Sequence, residues 1–447
     1  MYKLGFYGDD FTGSTDVMEA LTLGGVPTVL FLEPPTEAQL AEFPNIRAVG
    51  IAGTSRAMTP EQMDAHLPEM FAALKKLDAD FVHYKLCSTF DSSPRLGSIG
   101  RAIELGVKTF PQAFVPLVVG APILKRYVAF GNLFATVDGA THRLDRHPTM
   151  CKHPATPMAE SDLRQHLAKQ TDLETDLVDV LSLERGVEAS VERIQASQAK
   201  IILFDTLNDE HLATLGELLV RLQSEEIKFV AGSSGLEYAL TRHWQDTGEV
   251  KTVEPKTSVG AVERLLVVSG SAAPATAAQI EYAEAQGFKG IRIDVPRLLD
   301  AGSRNEEFTR LIEEATQALK TKSVLLYSAK GSDDPALTAT REALTASGRD
   351  PSTVASLLGA EQGRLLKTLL EQTDLTRACV AGGDTCGYAA QSLGLYALEL
   401  LMPVAPGSPL CKAHAEEARF DGLELSLKGG QVGKPDYFVA IQKGRLA

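Results

Sequence analysis

The sequence predicts an α/β protein: two α/β domains with mainly parallel central sheets and a cleft between them. Three observations predict it. Short apolar runs alternate with amphipathic stretches of helical length along the chain, as strands joined by crossover helices do. The 447 residues exceed the usual ~100–200 of one domain. The alternation lapses once, over 246–261, where the chain is polar and contains Gly and Pro, the composition of a linker. The expected units are therefore 1–245 and 262–447, with 246–261 between them.

In the first unit, Leu4–Tyr7, Thr28–Leu32, Ala48–Ile51, Phe81–Tyr84, Ala113–Val119, Leu177–Leu181, Ile201–Phe204 and Phe229–Ala231 read as strands. Pro60–Leu77, Glu160–Lys169 and Asp209–Ser224 read as helices between them. In the second unit the strands are Leu265–Val268, Ile291–Ile293, Val324–Tyr327 and Ala378–Ala381, and the helices Ala275–Ala285, Asn305–Leu319 and Thr353–Glu371.

Composition narrows the function classes. A formal net charge of −14 opposes non-specific binding to nucleic acid or an anionic membrane, which needs a positive field. Neither partner is expected, whereas a local group of cations still suits one small anion. The five cysteines are scattered and form no C-x-x-C pair, which argues against a disulfide framework and for a reducing compartment. The N-terminal residues run straight into a strand pattern without the shape of a signal peptide. The longest nearly apolar run, Gln112–Leu124, holds two prolines and is too short to span a bilayer. A cytoplasmic protein is expected.

The first strand leads into Gly8-Asp9-Asp10-Phe11-Thr12-Gly13-Ser14-Thr15-Asp16. Ligands of open α/β sheets sit beyond the carboxyl ends of strands, so Asp9 and Asp10 are the candidate catalytic residues. One is the general base for a substrate hydroxyl; the other orients substrate or helps to hold Mg²⁺. A capped strand-to-helix turn also favours Asp and Gly, but two adjacent carboxylates with Thr12 and Gly13 exceed what a turn needs. Two more strand ends carry Thr54-Ser55-Arg56 and Lys85-Leu86-Cys87-Ser88-Thr89, with Arg95 following. A loop cation is usually a surface feature. Three near successive strand ends suit a carboxylate, Arg as a bidentate fork and Lys as a point charge. The candidate substrate-binding residues are thus Thr12, Gly13, Arg56, Lys85, Ser88, Thr89 and Arg95.

Three glycine-rich turns mark the second unit: Ser269-Gly270-Ser271, Gly382-Gly383-Asp384-Thr385-Cys386-Gly387 and Lys428-Gly429-Gly430. Glycine lets backbone approach phosphate oxygens, and a helix N-terminus supplies N–H donors. Singly each is an ordinary turn; together they point to a nucleotide. The sequence has no Walker A pattern and no G-x-G-x-x-G after a strand. His142, His147, His153 and Cys151 lie among prolines without a helical ligand pair, so no metal site is expected there.

These motifs, in this order, resemble the four-carbon acid sugar kinase family, formerly a family of domains of unknown function. The matching elements are Asp9-Asp10-Phe11-Thr12-Gly13-Ser14-Thr15-Asp16, Ser269-Gly270-Ser271, the Gly382–Gly387 turn, Ala405-Pro406-Gly407-Ser408-Pro409 and Lys428-Gly429-Gly430-Gln431-Val432-Gly433. The resemblance implies a sugar-acid-binding domain in 1–245 and a nucleotide-binding domain in 262–447. It implies transfer of the γ-phosphoryl group of ATP, with Mg²⁺, to a terminal hydroxyl of an aldonate such as threonate or erythronate. The nucleotide residues would be Ser269, Gly270, Ser271, Gly382, Gly383, Asp384, Thr385, Gly387, Gly429 and Gly430. Departures fall mostly in the first unit. Cys87 stands where the family has Asp, Asp91-Ser92-Ser93-Pro94 is inserted before Arg95, and Arg146–Pro154 is a subgroup feature; in the second unit Asp384 replaces Glu. A branched or oxo acid stays open as substrate, and so does a homodimer. The competing readings are a hydroxy-acid dehydrogenase or isomerase, and a non-catalytic nucleotide or sugar-acid sensor.

Overall fold

The computed structural model describes residues 1–447 except Asp138, Pro154, Glu225, Pro351 and Ser352, and the side chain of Asp384. The chain forms two units, Met1–Glu254 and Pro255–Ala447; the division falls inside the stretch 246–261.

Unit one is built on β1 (Leu4–Gly8), β2 (Thr28–Phe31), β3 (Ala48–Ala52), β4 (Phe81–Lys85), β5 (Val115–Val118), a small hairpin sheet of β6 (Arg126–Ala129), β7 (Asn132–Val137) and β8 (Ala140–Arg143), then β9 (Thr175–Val178), β10 (Ile201–Phe204) and β11 (Phe229–Gly232). The main sheet runs β2-β3-β1-β4-β11-β5-β10-β9, and every neighbouring pair in it is parallel. Parallel strands need helices over both faces, and accordingly every residue of β1 and β4 is buried. From β1 the chain winds to β2 and β3 on one side, then crosses to β4 on the other. The carboxyl end of β1 is thus a topological switch point, where such sheets leave a crevice.

The antiparallel sheet β6-β7-β8 has no counterpart in the sequence expectations. Its strands are short and half exposed, so no clean alternation betrays them. The turn between β6 and β7 places Phe130 and Gly131 at φ of 50° and 79°, as tight hairpin turns require. Asp205, at the end of β10, fastens this turn. Its carboxylate accepts from the N–H groups of Phe130 at 2.6 Å, Gly131 at 2.9 Å and Val180 at 3.1 Å. Val128 and Thr206 also exchange backbone bonds of 2.9 Å in each direction.

Two expected elements differ. Leu177–Leu181 is not one strand: β9 ends at Val178, and Asp179 caps the helix Val180–Glu184 through the Ser182 N–H. The helix expected over Glu160–Lys169 is only Leu163–Leu167, because Asp162 caps it late and binds the Arg164 side chain.

Unit two holds β12 (Leu266–Ser269), β13 (Lys289–Arg292), β14 (Val324–Tyr327), β15 (Arg377–Ala381), β16 (Leu395–Ala405), β17 (Ser408–Ala415) and β18 (Glu424–Lys428). The order is β13-β14-β12-β15-β18-β17-β16. It is parallel through β18, and β17 runs antiparallel to both its neighbours. The sequence reading missed β16, β17 and β18; the β16–β17 pairing slips register at three places, and bulges break the period-two signal. No described helix is long and apolar enough to cross a membrane.

Asp205→Ala should therefore release the β6–β7 turn. Leaving its buried N–H groups unpaired should cost about 2–4 kcal/mol in urea unfolding. A loss below about 0.5 kcal/mol would show that the bridge to Thr206 alone holds the hairpin.

Candidate functional site

Unit one gathers its charged side chains at the carboxyl ends of β1, β3 and β4. Asp10 is the N-cap of the helix Phe11–Leu23: one carboxylate oxygen accepts from the Gly13 N–H and the other from the Thr12 hydroxyl, both at 2.8 Å. Asp9 follows the end of β1, its N–H bonded to the Lys85 carbonyl at 2.8 Å. Arg56 reaches both carboxylates, with Nη2 2.7 Å and Nε 3.3 Å from Asp9 and Nη1 2.9 Å from Asp10. Its backbone N–H also bonds the Asp9 carbonyl at 2.9 Å, which locks the two loops together. Lys85 ends β4 and lies 3.7 Å from Asp16. Gly13 has to be glycine, since a Cβ there would come within 2.4 Å of Asp10 Oδ1 and 3.0 Å of Lys85 Nζ.

The two catalytic candidates are electrostatically unequal. Burial pushes the Asp9 carboxyl up; the Arg56 charge opposes the rise and the Asp10 charge adds to it. Burial also acts on Asp10, but the charges of Arg56 and Lys85 and the bonds from Thr12 and Gly13 outweigh it, holding Asp10 below the usual carboxylate range. The Asp10 side chain is 24% exposed and that of Asp9 only 3%, so Asp10 is the carboxylate a ligand can reach. Burial lifts Asp16 as well, against the nearby Lys85 charge.

The other first-unit candidates divide. Ser88 and Thr89 follow β4 next to Cys87, whose Sγ lies 2.9 Å from the Thr89 hydroxyl. Arg95 is exposed on the following loop and makes no ion pair among the described residues. Sequence reasoning passed over Arg126, at the start of β6. Its Nη1 donates to the carbonyls of Leu124 at 2.9 Å and Lys125 at 3.2 Å, while its buried Nε has no partner. Its only sequence signal was a cation in a stretch that had no assigned element.

In unit two the glycine turns meet around a cavity of about 440 Å³, the size of small-ligand sites. Gly270, Ser271, Gly382, Gly383, Thr385 and Gly430 line it. Ser269, Gly387 and Gly429 lie off its wall, and the side chain of Asp384 is outside the described residues. A Cβ on Gly270 would stand 2.2 Å from the Thr385 hydroxyl and 2.6 Å from Gln362 Oε1, and one on Gly430 2.4 Å from the Ser271 hydroxyl. Gly382 sits at φ 126°, a conformation closed to side chains, and opens the helix Gly383–Ser392, whose N-terminus has no side-chain cap. Val295, Leu337, Val354 and Leu358 supply an apolar wall that the sequence reading did not anticipate. Lys428 is fully buried and ties two of the turns. Its carbonyl accepts from the Gly382 N–H at 2.9 Å. Its ammonium donates to the Thr276 hydroxyl at 3.2 Å, which donates to the Gly430 carbonyl at 2.7 Å. No carboxylate pairs with this cation among the described residues.

Residues 4–240 match a family model described as a sugar-binding N-terminal domain, and residues 266–438 one described as a nucleotide-binding C-terminal domain. A 3-oxo-isoapionate kinase of Paraburkholderia graminis is 47% identical over 99% of this chain and 95% of its own. The 3-oxo-tetronate kinases of Pectobacterium atrosepticum and Salmonella typhimurium are each 29% identical over 99% of both chains. A solved structure from Salmonella typhimurium LT2 is 27% identical, with a TM-score of 0.80 over 100% of both chains. A Haemophilus influenzae protein, 23% identical with a TM-score of 0.72 over 98% of this chain and 99% of its own, shares the fold.

Lys428 has a measurable consequence. Burial pushes its ammonium down to about 8 from the ordinary 10.5. Between those values the unfolded chain binds the proton that the folded chain has released, so this site's contribution to stability rises with pH across that window. The penalty is complete below pH 8 and amounts to about 3 kcal/mol. Lys428→Met should then be more stable than wild type at pH 7 and lose that margin towards pH 10. Paired chemical denaturation at both pH values checks this; a margin that does not shrink with pH contradicts it.

Proposed function

The chain belongs to the four-carbon acid sugar kinase family, and we propose that it transfers the γ-phosphoryl group of ATP to a terminal hydroxyl of a 3-oxo sugar acid. It is an ATP-dependent sugar-acid kinase; the 3-oxo character of the acid is taken from the three kinases named above, each of which carries that prefix. The observation that carries the reading is a pairing within one chain: a charged, carboxylate-bearing switch point in the sugar-binding unit, and a glycine-walled cavity in the nucleotide-binding unit, two of whose turns are tied by the buried Lys428. Each relative is a named kinase, which leaves the dehydrogenase, isomerase and sensor readings without support.

Asp10 is the general base. It is the more exposed of the two carboxylates, and the charges of Arg56 and Lys85 keep it ionised. As the substrate oxygen bonds to the γ-phosphorus and the bond to the leaving ADP breaks, the hydroxyl proton passes to Asp10. A loose phosphoryl transition state asks little of a base beyond position and late proton acceptance. Asp9 holds Arg56 in place, and Arg56 offsets charge at the reacting centre. Thr12 and Gly13 fix the Asp10 rotamer; Ser88, Thr89 and Lys85 border the acid. In the other unit the N–H groups of Ser271 and Gly383 and the turn at Gly430 receive the phosphates. Mg²⁺ would ride on the phosphate oxygens, as it usually does; no group of three His, Cys, Asp or Glu side chains stands ready to cage it among the described residues.

An ADP-release assay with ATP and 3-oxo sugar acids tests the function, and silence across all of them rejects it. Asp10→Asn should lower kcat by about 100-fold or more, the usual worth of a general base, with ATP affinity retained. Undiminished turnover would move the base elsewhere. Gly270→Ala should raise KM for ATP about tenfold, since overpacking at the cavity wall costs on the order of 1–3 kcal/mol. An equal rise in KM for the acid would show a global rather than a local defect.

A further inference from the structure

Two buried polar atoms near the acidic loop have no hydrogen-bond partner: Arg126 Nε and Asp91 Oδ1. An unpaired buried donor or acceptor costs about 1–3 kcal/mol, and such groups in a folded protein call for an explanation, an absent ligand among them. One is cationic and the other anionic, yet they form no ion pair with each other. Both act electrostatically on the Cys87 thiol, as do Arg56, Asp9 and Asp10. Cys87 is therefore within electrostatic reach of the Asp10 cluster, of Asp91 and of Arg126.

Both groups are held firmly. Asp91 follows Phe90, which sits at φ 57°, a conformation that a bulky residue keeps only when its surroundings impose it. The surroundings are evident: the buried Phe90 ring packs edge-on against His166 at 5.7 Å, and the Ser92 hydroxyl meets His166 Nε2 at 3.1 Å and Gln170 Nε2 at 2.9 Å. Arg126 belongs to the hairpin that Asp205 and Thr206 pin to β10. The remaining cations at the site are committed, Arg56 to Asp9 and Asp10 and Lys85 to Asp16, and Arg95 is exposed.

We infer that Asp91 and Arg126 form the subsite that orients the acid end of the substrate, the half-buried Arg126 guanidinium pairing with its carboxylate and the Asp91 carboxylate accepting from a neighbouring hydroxyl. This rests on the sugar-acid kinase reading and adds the residues that select the acid. It also gives a reason for Cys87. An Asp at that position, as the family pattern has it, would supply Arg126 with an internal partner. The half-buried thiol, pushed up to about 11, is neutral and leaves the guanidinium to the substrate. Three departures in this chain, Cys87, the inserted Asp91 and the segment containing His147, thereby fall around one cation. His147 is itself held neutral, by burial first and then by the Arg126 charge.

The test is ADP release with 3-oxo-isoapionate and with its carboxamide, for wild type, Arg126→Gln, Asp91→Asn and Cys87→Asp, with thermal melts of each. The wild type should prefer the acid strongly. Arg126→Gln should raise KM for the acid about 10- to 100-fold, leave KM for ATP unchanged and erase the preference for acid over amide. A merely structural role would not move that preference. Cys87→Asp should do the same by capturing Arg126 from within, and Asp91→Asn should raise KM for both compounds together. An unchanged KM for the acid in folded Arg126→Gln overturns the inference. So does a wild type that turns over the amide as readily as the acid, a comparison that needs no variant to fold. Wild type inactive on every sugar acid overturns the functional reading and this inference with it.

Discussion

The Arg56 guanidinium between Asp9 and Asp10 is the constraint on which the first unit's site depends. Two adjacent carboxylates at a strand end repel each other and resist burial. One planar cation that binds both makes the arrangement stable, and removing a partner from such a cluster costs on the order of 3–5 kcal/mol. The same contact fixes geometry, because Arg56 joins the β1 loop to the β3 loop while Asp10 caps the helix that follows. Fold and chemistry share these atoms, so the site cannot shift without loosening the crossing of β1, β3 and β4.

Charges in this protein divide into the committed and the uncommitted. Arg56, Lys85, Asp9 and Asp16 satisfy one another and keep the crevice rigid. Lys428 and Arg126 are buried or half-buried cations with no carboxylate partner among the described residues. An uncommitted cation costs stability, as the lowered proton affinity of Lys428 registers.

The sequence by itself determined most of the strands, several of the longer helices, both glycine-lined and acidic loops, and the candidate residues Asp9, Asp10, Arg56 and Lys85. Those features are local: an apolar period, a turn residue or a strand end is written within a dozen neighbouring positions. The short helix at Val180 and the truncated one at Leu163 were harder, because a single Asp cap outweighed a run of apolar residues. The pairing of Arg56 with two carboxylates, the docking of the β6–β7 turn on Asp205 and the isolation of Arg126 and Lys428 were decided only by tertiary structure. Whether a charge is paired depends on which distant strands the sheet order makes neighbours. That order is set by the packing of whole helices and strands, which no local stretch of sequence contains.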